Sequence, residues 1–382
     1  MDARHLPQTQ NLRLQIALIF NGTRYQRGMA ALITVGIYGA SGYMGGEALR
    51  ILNEHPQVRV AWATSRSGKS IEYFHRNLYG SGIHLIKPEE ASHCDAVLLS
   101  LPSGNAMTMV PDLLKNGTKI IDLGADFRLQ DQTEWERIYG RTHSCWNLVN
   151  EAIYGIPELH RDQIRKARII ANPGCFSSAS ILALAPLIKE EKIDTERIVI
   201  DGLSGTAGAG SELDITMHHP EIGNNIVPYN VVDHRHTYEI EQELGLLAKK
   251  KVTINFTPAY VPITRGILAI CHCFPVQKVS RNELLDLYKS FYRDEYFIKV
   301  FDMPKDADVT WQYLPYPWVS AVSGTNFCHI GLDVDEKRNR IVVFSVLDSL
   351  GKGGAHAAVQ NLNLLFNLEE NMGLTRYGLH PY

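Results

Sequence analysis

Three glycines at a spacing of three follow directly on a run of aliphatic residues, and this constrains the fold of the 382-residue chain more than any other feature. Leu32-Ile33-Thr34-Val35-Gly36-Ile37-Tyr38 predicts a buried strand. It runs into Gly39-Ala40-Ser41-Gly42-Tyr43-Met44-Gly45-Gly46 and then a helix, Glu47 to Asn53. Gly39 permits a tight turn, Gly42 lets a phosphate approach the backbone, and Gly45 allows helix and strand to pack closely. Such a turn by itself is weak, but between a first strand and a first helix it points strongly to a dinucleotide-binding Rossmann domain. Gly39, Ser41, Gly42, Tyr43 and Gly45 are therefore candidate cofactor residues.

The next strand, Val58 to Thr64, bears on which dinucleotide binds. An NAD-binding strand usually ends in a carboxylate for the ribose hydroxyl. Here Thr64-Ser65-Arg66-Ser67-Gly68-Lys69 carries two cations and no acid, which favours a 2′-phosphate and hence NADP(H), held by Ser65, Arg66 and Lys69. The bland alternative is a solvated basic loop. Strands Asp95–Leu101 and Lys119–Leu123 lead into further loops, with Ser103 in the first and Arg128 closing the second, at the expected cofactor crevice.

A lone cysteine marks the chemistry. Arg168–Ala171 reads as a strand, Pro173-Gly174 forces a turn, and Ser177 to Ile188 reads as a helix, so Cys175 falls at a helix mouth. Unpaired backbone N–H groups and the helix dipole favour a thiolate there, which predicts a lowered pKa. A buried core cysteine is the bland alternative. Beyond it the pattern becomes strand-rich, with strands at Arg197–Leu203, Lys251–Thr257, Leu268–Phe274, Phe327–Val334 and Ile341–Leu347 and a helix at Arg281–Tyr292. This predicts an α+β domain with a mostly antiparallel sheet.

Between the first two of those strands lie a glycine-rich stretch (Ser204 to Ser211), Met217-His218-His219-Pro220-Glu221, and Asp233-His234-Arg235-His236. The histidines lack the spacing of a zinc protease, and each has a structural alternative. Cys271-His272-Cys273 lies inside a strand pattern and reads as packing, so no metal site is expected. A thiolate, an imidazole and NADP together suggest reduction of an activated acyl group through a thioester, with histidine moving protons and arginine neutralising a phosphate or carboxylate.

Composition sets the outer limits. Hydrophobic residues make up 45% and charged residues 21%, as in an ordinary globular enzyme, and the net charge of −3 offers nothing to nucleic acid or a membrane surface. Six scattered cysteines fit a reducing, cytoplasmic setting. Ile16–Phe20 is too short to span a bilayer. The expected division is 1–28, a disordered extension or mis-assigned start; 29–174, the NADP-binding domain; 175–350, the catalytic and dimerisation domain; and 351–382, a C-terminal segment.

Several motifs together resemble the N-acetyl-γ-glutamyl-phosphate reductase family, within the aspartate-semialdehyde-dehydrogenase superfamily. They are Gly39–Tyr43, Asp122-Leu-Gly-Ala-Asp-Phe-Arg128, Tyr154-Gly-Ile-Pro-Glu158, Pro173-Gly-Cys175, His234-Arg-His236 and Arg265-Gly-Ile267. The resemblance runs from about Leu32 to the C-terminus. It implies Cys175 as nucleophile, His236 with His234 as acid/base, and Arg128, His219, Arg235 and Arg265 as substrate contacts. It further implies Ser349 near the nicotinamide, a helix from Gly353 to Asn367 returning to the nucleotide domain, and a homodimer or homotetramer.

His218-His219-Pro220-Glu221, Gly324-Thr325-Asn326 and Gly378-Leu379-His380-Pro381 are similar to the lysine-pathway branch, whose aminoadipyl phosphate is carried on a small acidic protein. That branch has Arg after His-His-Pro-Glu, where this chain has Ile222; Ser349 and Phe176-Ser177-Ser178 also depart from the family pattern. The resemblance thus implies an NADPH-dependent reductase of an N-blocked γ-glutamyl or aminoadipyl phosphate. A strict N-acetyl-γ-glutamyl-phosphate reductase is the alternative, and a non-catalytic NADP-binding regulator is the reading from another class.

Overall fold

In the computed structural model, which describes residues 31–302 and 316–379, two sheets are built from different burial patterns. The first contains β1 (Ile33–Tyr38), β2 (Val58–Ala63), β3 (Ala96–Leu99), β4 (Lys119–Asp122), β5 (Ala152–Tyr154) and β6 (Ile169–Ala171), in the order β2-β1-β3-β4-β6-β5. The pairs β1–β3, β3–β4, β4–β6 and β5–β6 are all parallel. Continuous burial of β3 and β6 is what a sheet covered on both faces requires. The chain turns to opposite sides of β1 to reach β2 and β3, so a switch point opens at the carboxyl end of β1, beside the glycine turn.

The helices of this half are α1 (Tyr43–Leu52), α2 (Ala106–Lys115), α3 (Gln132–Tyr139) and α4 (Pro157–Lys166). Gly39 has φ of +78°, and a β-carbon on Gly45 would lie 2.3 Å from the Gly39 carbonyl oxygen, so the turn needs both glycines. The first turn of α1 contains no acidic residue, which leaves its amide dipoles free for an anion.

The second half comprises α5 (Cys175–Lys189), β7 (Ile198–Ser204), α6 (His219–Ile222), β8 (Val227–Pro228), α7 (Arg235–Ala248), β9 (Ile254–Tyr260), β10 (Ile267–Cys273), α8 (Arg281–Phe291), β11 (Ile298–Val300), β12 (Cys328–Asp335), β13 (Arg340–Leu347) and α9 (His356–Leu365). Its sheet runs β11-β12-β13-β10-β7-β9-β8. Four of the six pairings are antiparallel, and β11–β12 and β7–β9 are parallel, so the sheet is mixed with an antiparallel majority. β7 and β10 alternate buried and half-buried residues, so one face packs inward. Every residue of α5 from Phe176 to Ile188 is buried, with the helix set against β10, β13 and α7.

Cys271 and Cys273 are fully buried on β10, in keeping with strand packing. All six cysteines are free. A wide π-helical turn, Gly351–Ala355, leads into α9, which packs on α1 and α4. The described residues from Thr34 onward form one compact unit, and the expected boundary at 174/175 is where the chain leaves β6 for α5. The expected extension 1–28 lies outside the described residues, as does His380-Pro381. Among the described residues no helix is long and apolar enough to cross a membrane.

Candidate active site

The glycine turn and the cysteine meet at one cavity of about 880 Å³. On one side it takes in Gly39, Ser41, Gly42 and Tyr43 of the turn, with Ser65 and Arg66 at the end of β2. On the other stand Arg128, Cys175, Arg235, His236 and Ser349. A β-carbon on Gly42 would find only the Gly39 carbonyl oxygen within 4 Å, at 3.6 Å, so the absence of a side chain there leaves open space at the turn. That cradle, the unopposed amide dipoles of α1 and the exposed Arg66 fit the phosphates of a nicotinamide dinucleotide.

Six expected residues lie outside the cavity lining. Lys69 is exposed, with its Nζ 3.8 Å from the Tyr73 ring centroid. The Ser103 carbonyl accepts from Arg141, while its neighbours Pro102 and Asn105 line the cavity. His219 is exposed in the four-residue α6. His234 caps α7, its Nδ1 accepting from the His236 N–H at 3.2 Å. Arg265 is ion-paired with Asp348 and Glu47. Gly45 does not face the cavity either; it serves the close packing of turn and helix.

Cys175 is the first residue of α5, on Gly174 as N-cap. Its thiol pKa is raised, against the lowered value expected from a helix mouth. Burial is the main cause and outweighs the opposing pull of the Arg235 charge, the Phe176 N–H and Arg128. The thiol is therefore protonated at rest near neutral pH.

His236 sits one helical turn from Glu239 on α7. Burial, followed by the charges of Arg235, His234 and Arg128, holds its pKa well below the usual histidine value, so the imidazole is neutral and able to accept a proton. Its Nδ1 is buried and has no hydrogen-bond partner among the described residues. Arg235 is exposed, forms no ion pair among the described residues and faces the cavity. It is a cation available to an anionic substrate. Arg128 also lines the cavity but is committed to Glu239, with 3.0 Å between Nη1 and Oε1.

Glu239 belongs to none of the motifs that mark the site in the sequence. This buried carboxylate also accepts from the Gly174 N–H at 3.0 Å and the Tyr154 hydroxyl at 2.7 Å. Burial would raise its pKa, but Arg128 and the two hydrogen bonds outweigh that and keep it ionised. It thereby joins α7 to the turn bearing the cysteine. Its i+3 spacing from His236 was the available signal. Asp126, in the loop after β4, accepts from the N–H groups of Gly104 and Met107 and so shapes the crevice loop before α2.

Two family models match the chain: the semialdehyde dehydrogenase NAD binding domain over residues 34–167, and the semialdehyde dehydrogenase dimerisation domain over 175–349. The chain is 40% identical over 356 residues to N-acetyl-gamma-glutamyl-phosphate reductase of Desulforamulus reducens, covering 92% of this chain and 100% of the relative. It is 42% identical over 358 residues to the protein of the same name from Methanopyrus kandleri, with 92% and 100% covered. Among solved structures it resembles aspartate semialdehyde dehydrogenase II of Vibrio cholerae complexed with ASA, with a TM-score of 0.65, 20% identity, and coverage of 88% of this chain and 99% of that one. Aspartate semialdehyde dehydrogenase with NADP from Candida albicans matches with a TM-score of 0.63 and 16% identity, covering 89% and 99%. These two likenesses are of fold.

Proposed function

The chain belongs to the N-acetyl-γ-glutamyl-phosphate reductase family, of the semialdehyde dehydrogenase fold, and from that premise we propose that it reduces N-acetyl-γ-glutamyl phosphate to the semialdehyde, with NADPH, through a thioester on Cys175. The observation that carries this reading is the single cavity that opens both on the glycine turn and on Cys175, Arg235 and His236. The dinucleotide, when bound by the Gly39–Tyr43 turn with Ser65 and Arg66, supplies the hydride that brings the thioester to the aldehyde level.

The residues of the chain do the rest. The Cys175 sulfur forms a bond to the acyl carbon as its proton passes to neutral His236. The carbon–oxygen bond to phosphate breaks, and the electron pair leaves on phosphate, whose charge Arg235 offsets. After reduction, the oxyanion of the thiohemiacetal re-forms the carbonyl as the carbon–sulfur bond breaks, the aldehyde departs and His236 returns to the thiolate the proton it took. Because the thiol is protonated at rest, His236 acts as a general base during attack.

Two observations favour the acetylated glutamyl substrate over an aminoadipyl one borne on an acidic carrier. The relatives described above are named for the former. The segment beside the cavity also presents Glu212, Asp214 and Glu221 to solvent, while Ile222 is buried and offers no cation to an acidic partner. The assembly is read as a homodimer or homotetramer, in line with the dimerisation-domain match, and the enzyme as one of arginine biosynthesis in the cytoplasm. A non-catalytic regulator would have no need for Cys175, neutral His236 and exposed Arg235 around one cavity.

The test runs the reaction in reverse, with N-acetylglutamate semialdehyde, phosphate and NADP, following NADPH formation. Wild-type enzyme turns over only with phosphate present, and Cys175→Ser loses turnover. Full activity in Cys175→Ser would end the covalent mechanism, and a preference for a carrier-linked aminoadipate semialdehyde would restore the lysine-pathway reading.

A further inference from the structure

Arg265 links three parts of the molecule without lining the cavity. Its Nε donates to both carboxylate oxygens of Asp348, at 3.1 and 2.9 Å, and its Nη2 donates to Glu47 Oε1 at 3.0 Å. Glu47 lies on α1, directly after the glycine turn, and also binds Arg50 and, at 2.8 Å, His356 at the start of α9. Asp348 is fully buried at the end of β13. It accepts the N–H groups of Leu350 at 2.8 Å and Gly351 at 3.1 Å, and that of Gly324.

The segment that Asp348 anchors reaches both halves of the cavity. Ser349 lines it, and its hydroxyl accepts from the Gly266 N–H, next to Arg265. A β-carbon on Gly353 would lie 2.8 Å from Cβ of Cys175, and one on Gly354 would lie 2.3 Å from Cε of Met44 in α1. The Ser349–Ala355 segment is thus packed between the nucleophile and the dinucleotide turn. A carboxylate as buried as Asp348 needs a fixed counter-charge, and one guanidinium serves it and Glu47 together.

We propose that Arg265 is a positioning residue that ties Asp348 to Glu47, and so holds the Ser349–Ala355 segment as the wall of the dinucleotide site beside Cys175. The inference deepens the NADPH-dependent reading above and rests on it. Arg265 acts on cofactor binding through this segment and does not contact the acyl substrate.

NADPH binding to the full-length protein, followed by nicotinamide fluorescence without any acyl substrate, separates the two claims. Wild-type protein that binds no NADPH overturns the functional reading and this inference with it. Given wild-type binding, Arg265→Met and Glu47→Gln each weaken NADPH about tenfold or more, and the double variant is no weaker than the worse single one, because both cut one link. Arg265→Lys, a point charge without the planar fork, recovers part of the loss. The KM for N-acetylglutamate semialdehyde stays within about threefold of wild type in the variants that fold. Unchanged NADPH affinity in Glu47→Gln and Arg265→Lys overturns the inference, even if Arg265→Met fails to fold. So does a rise confined to the semialdehyde KM.

Discussion

A β-carbon on Gly174 would stand 2.3 Å from Nε2 of His236, so the residue before the nucleophile and the proposed base are in direct contact. The backbone at Gly174 has φ of −70° and ψ of 151°, which any residue adopts. Space, and not torsional freedom, requires the glycine here. The Glu239 carboxylate reinforces the contact by binding the Gly174 N–H from the helix that carries His236.

Gly174→Ala should therefore leave the backbone intact and displace the imidazole. The expected result is a fall in kcat of about a hundredfold, the scale of a misplacement near 1 Å, with NADPH affinity little changed. Steady-state kinetics beside a cofactor titration checks it, and wild-type kcat in this variant would remove His236 from the role of base.

The raised thiol pKa of Cys175 predicts its reactivity profile. Alkylation by iodoacetamide, without substrates, should increase with pH through a midpoint above the free-thiol value of about 8.5. Arg235 favours the thiolate, so Arg235→Leu should move the midpoint higher still. A midpoint below the free value would mean that the helix mouth prevails over burial.

Arg66 carries the cofactor choice in this reading. Arg66→Glu places a carboxylate where a 2′-phosphate would sit and offers an acceptor to a ribose hydroxyl. The ratio of kcat/KM for NADPH over NADH should fall about tenfold or more, equivalent to about 1.4 kcal/mol. An unchanged ratio assigns Arg66 to the solvated loop.

Buried and half-buried histidines set the acid side of stability. Burial lowers the pKa of His234 and of His329 to about 4, and lowers those of His236, His55 and His143 as well. Each is neutral in the native state but protonates near 6.5 when unfolded, so the unfolded chain binds more protons between these values. Stability should be complete above about pH 7 and decline as pH falls through the unfolded value, with His234 and His329 each costing about 1.4 kcal/mol at pH 5.5. A melting-temperature series from pH 7.5 to 5 reads the slope, which His329→Gln should flatten. A flat series would mean these rings titrate normally in the fold.

Much of the fold was legible because local chemistry and global architecture agree at the same residues. The glycine turn, the buried strand before it and the alternating strands of the second half each carry their own periodicity. Cys175 was placed by Pro173-Gly174. Its ionisation was not, since a helix mouth and a buried pocket push a thiol in opposite directions, and only packing decides between them. The Arg265-Gly-Ile267 motif implies a substrate contact by resemblance, while the partners that hold Arg265 in the fold, Asp348 and Glu47, lie 83 and 218 residues away in sequence. Lys69 and His219 sit in suggestive segments, but neither lines the cavity.

The amino-acid sequence by itself determined the two sheets, the nucleotide turn and the identity of the one cysteine at a strand–helix junction, because these depend on near neighbours and on residue-type periodicity. Only the tertiary structure decided which charges remain unpaired, which imidazole abuts the nucleophile and how burial sets their proton affinities. Those properties come from pairings over long chain separations, and electrostatic energies depend on distance and desolvation in space, not on separation along the chain.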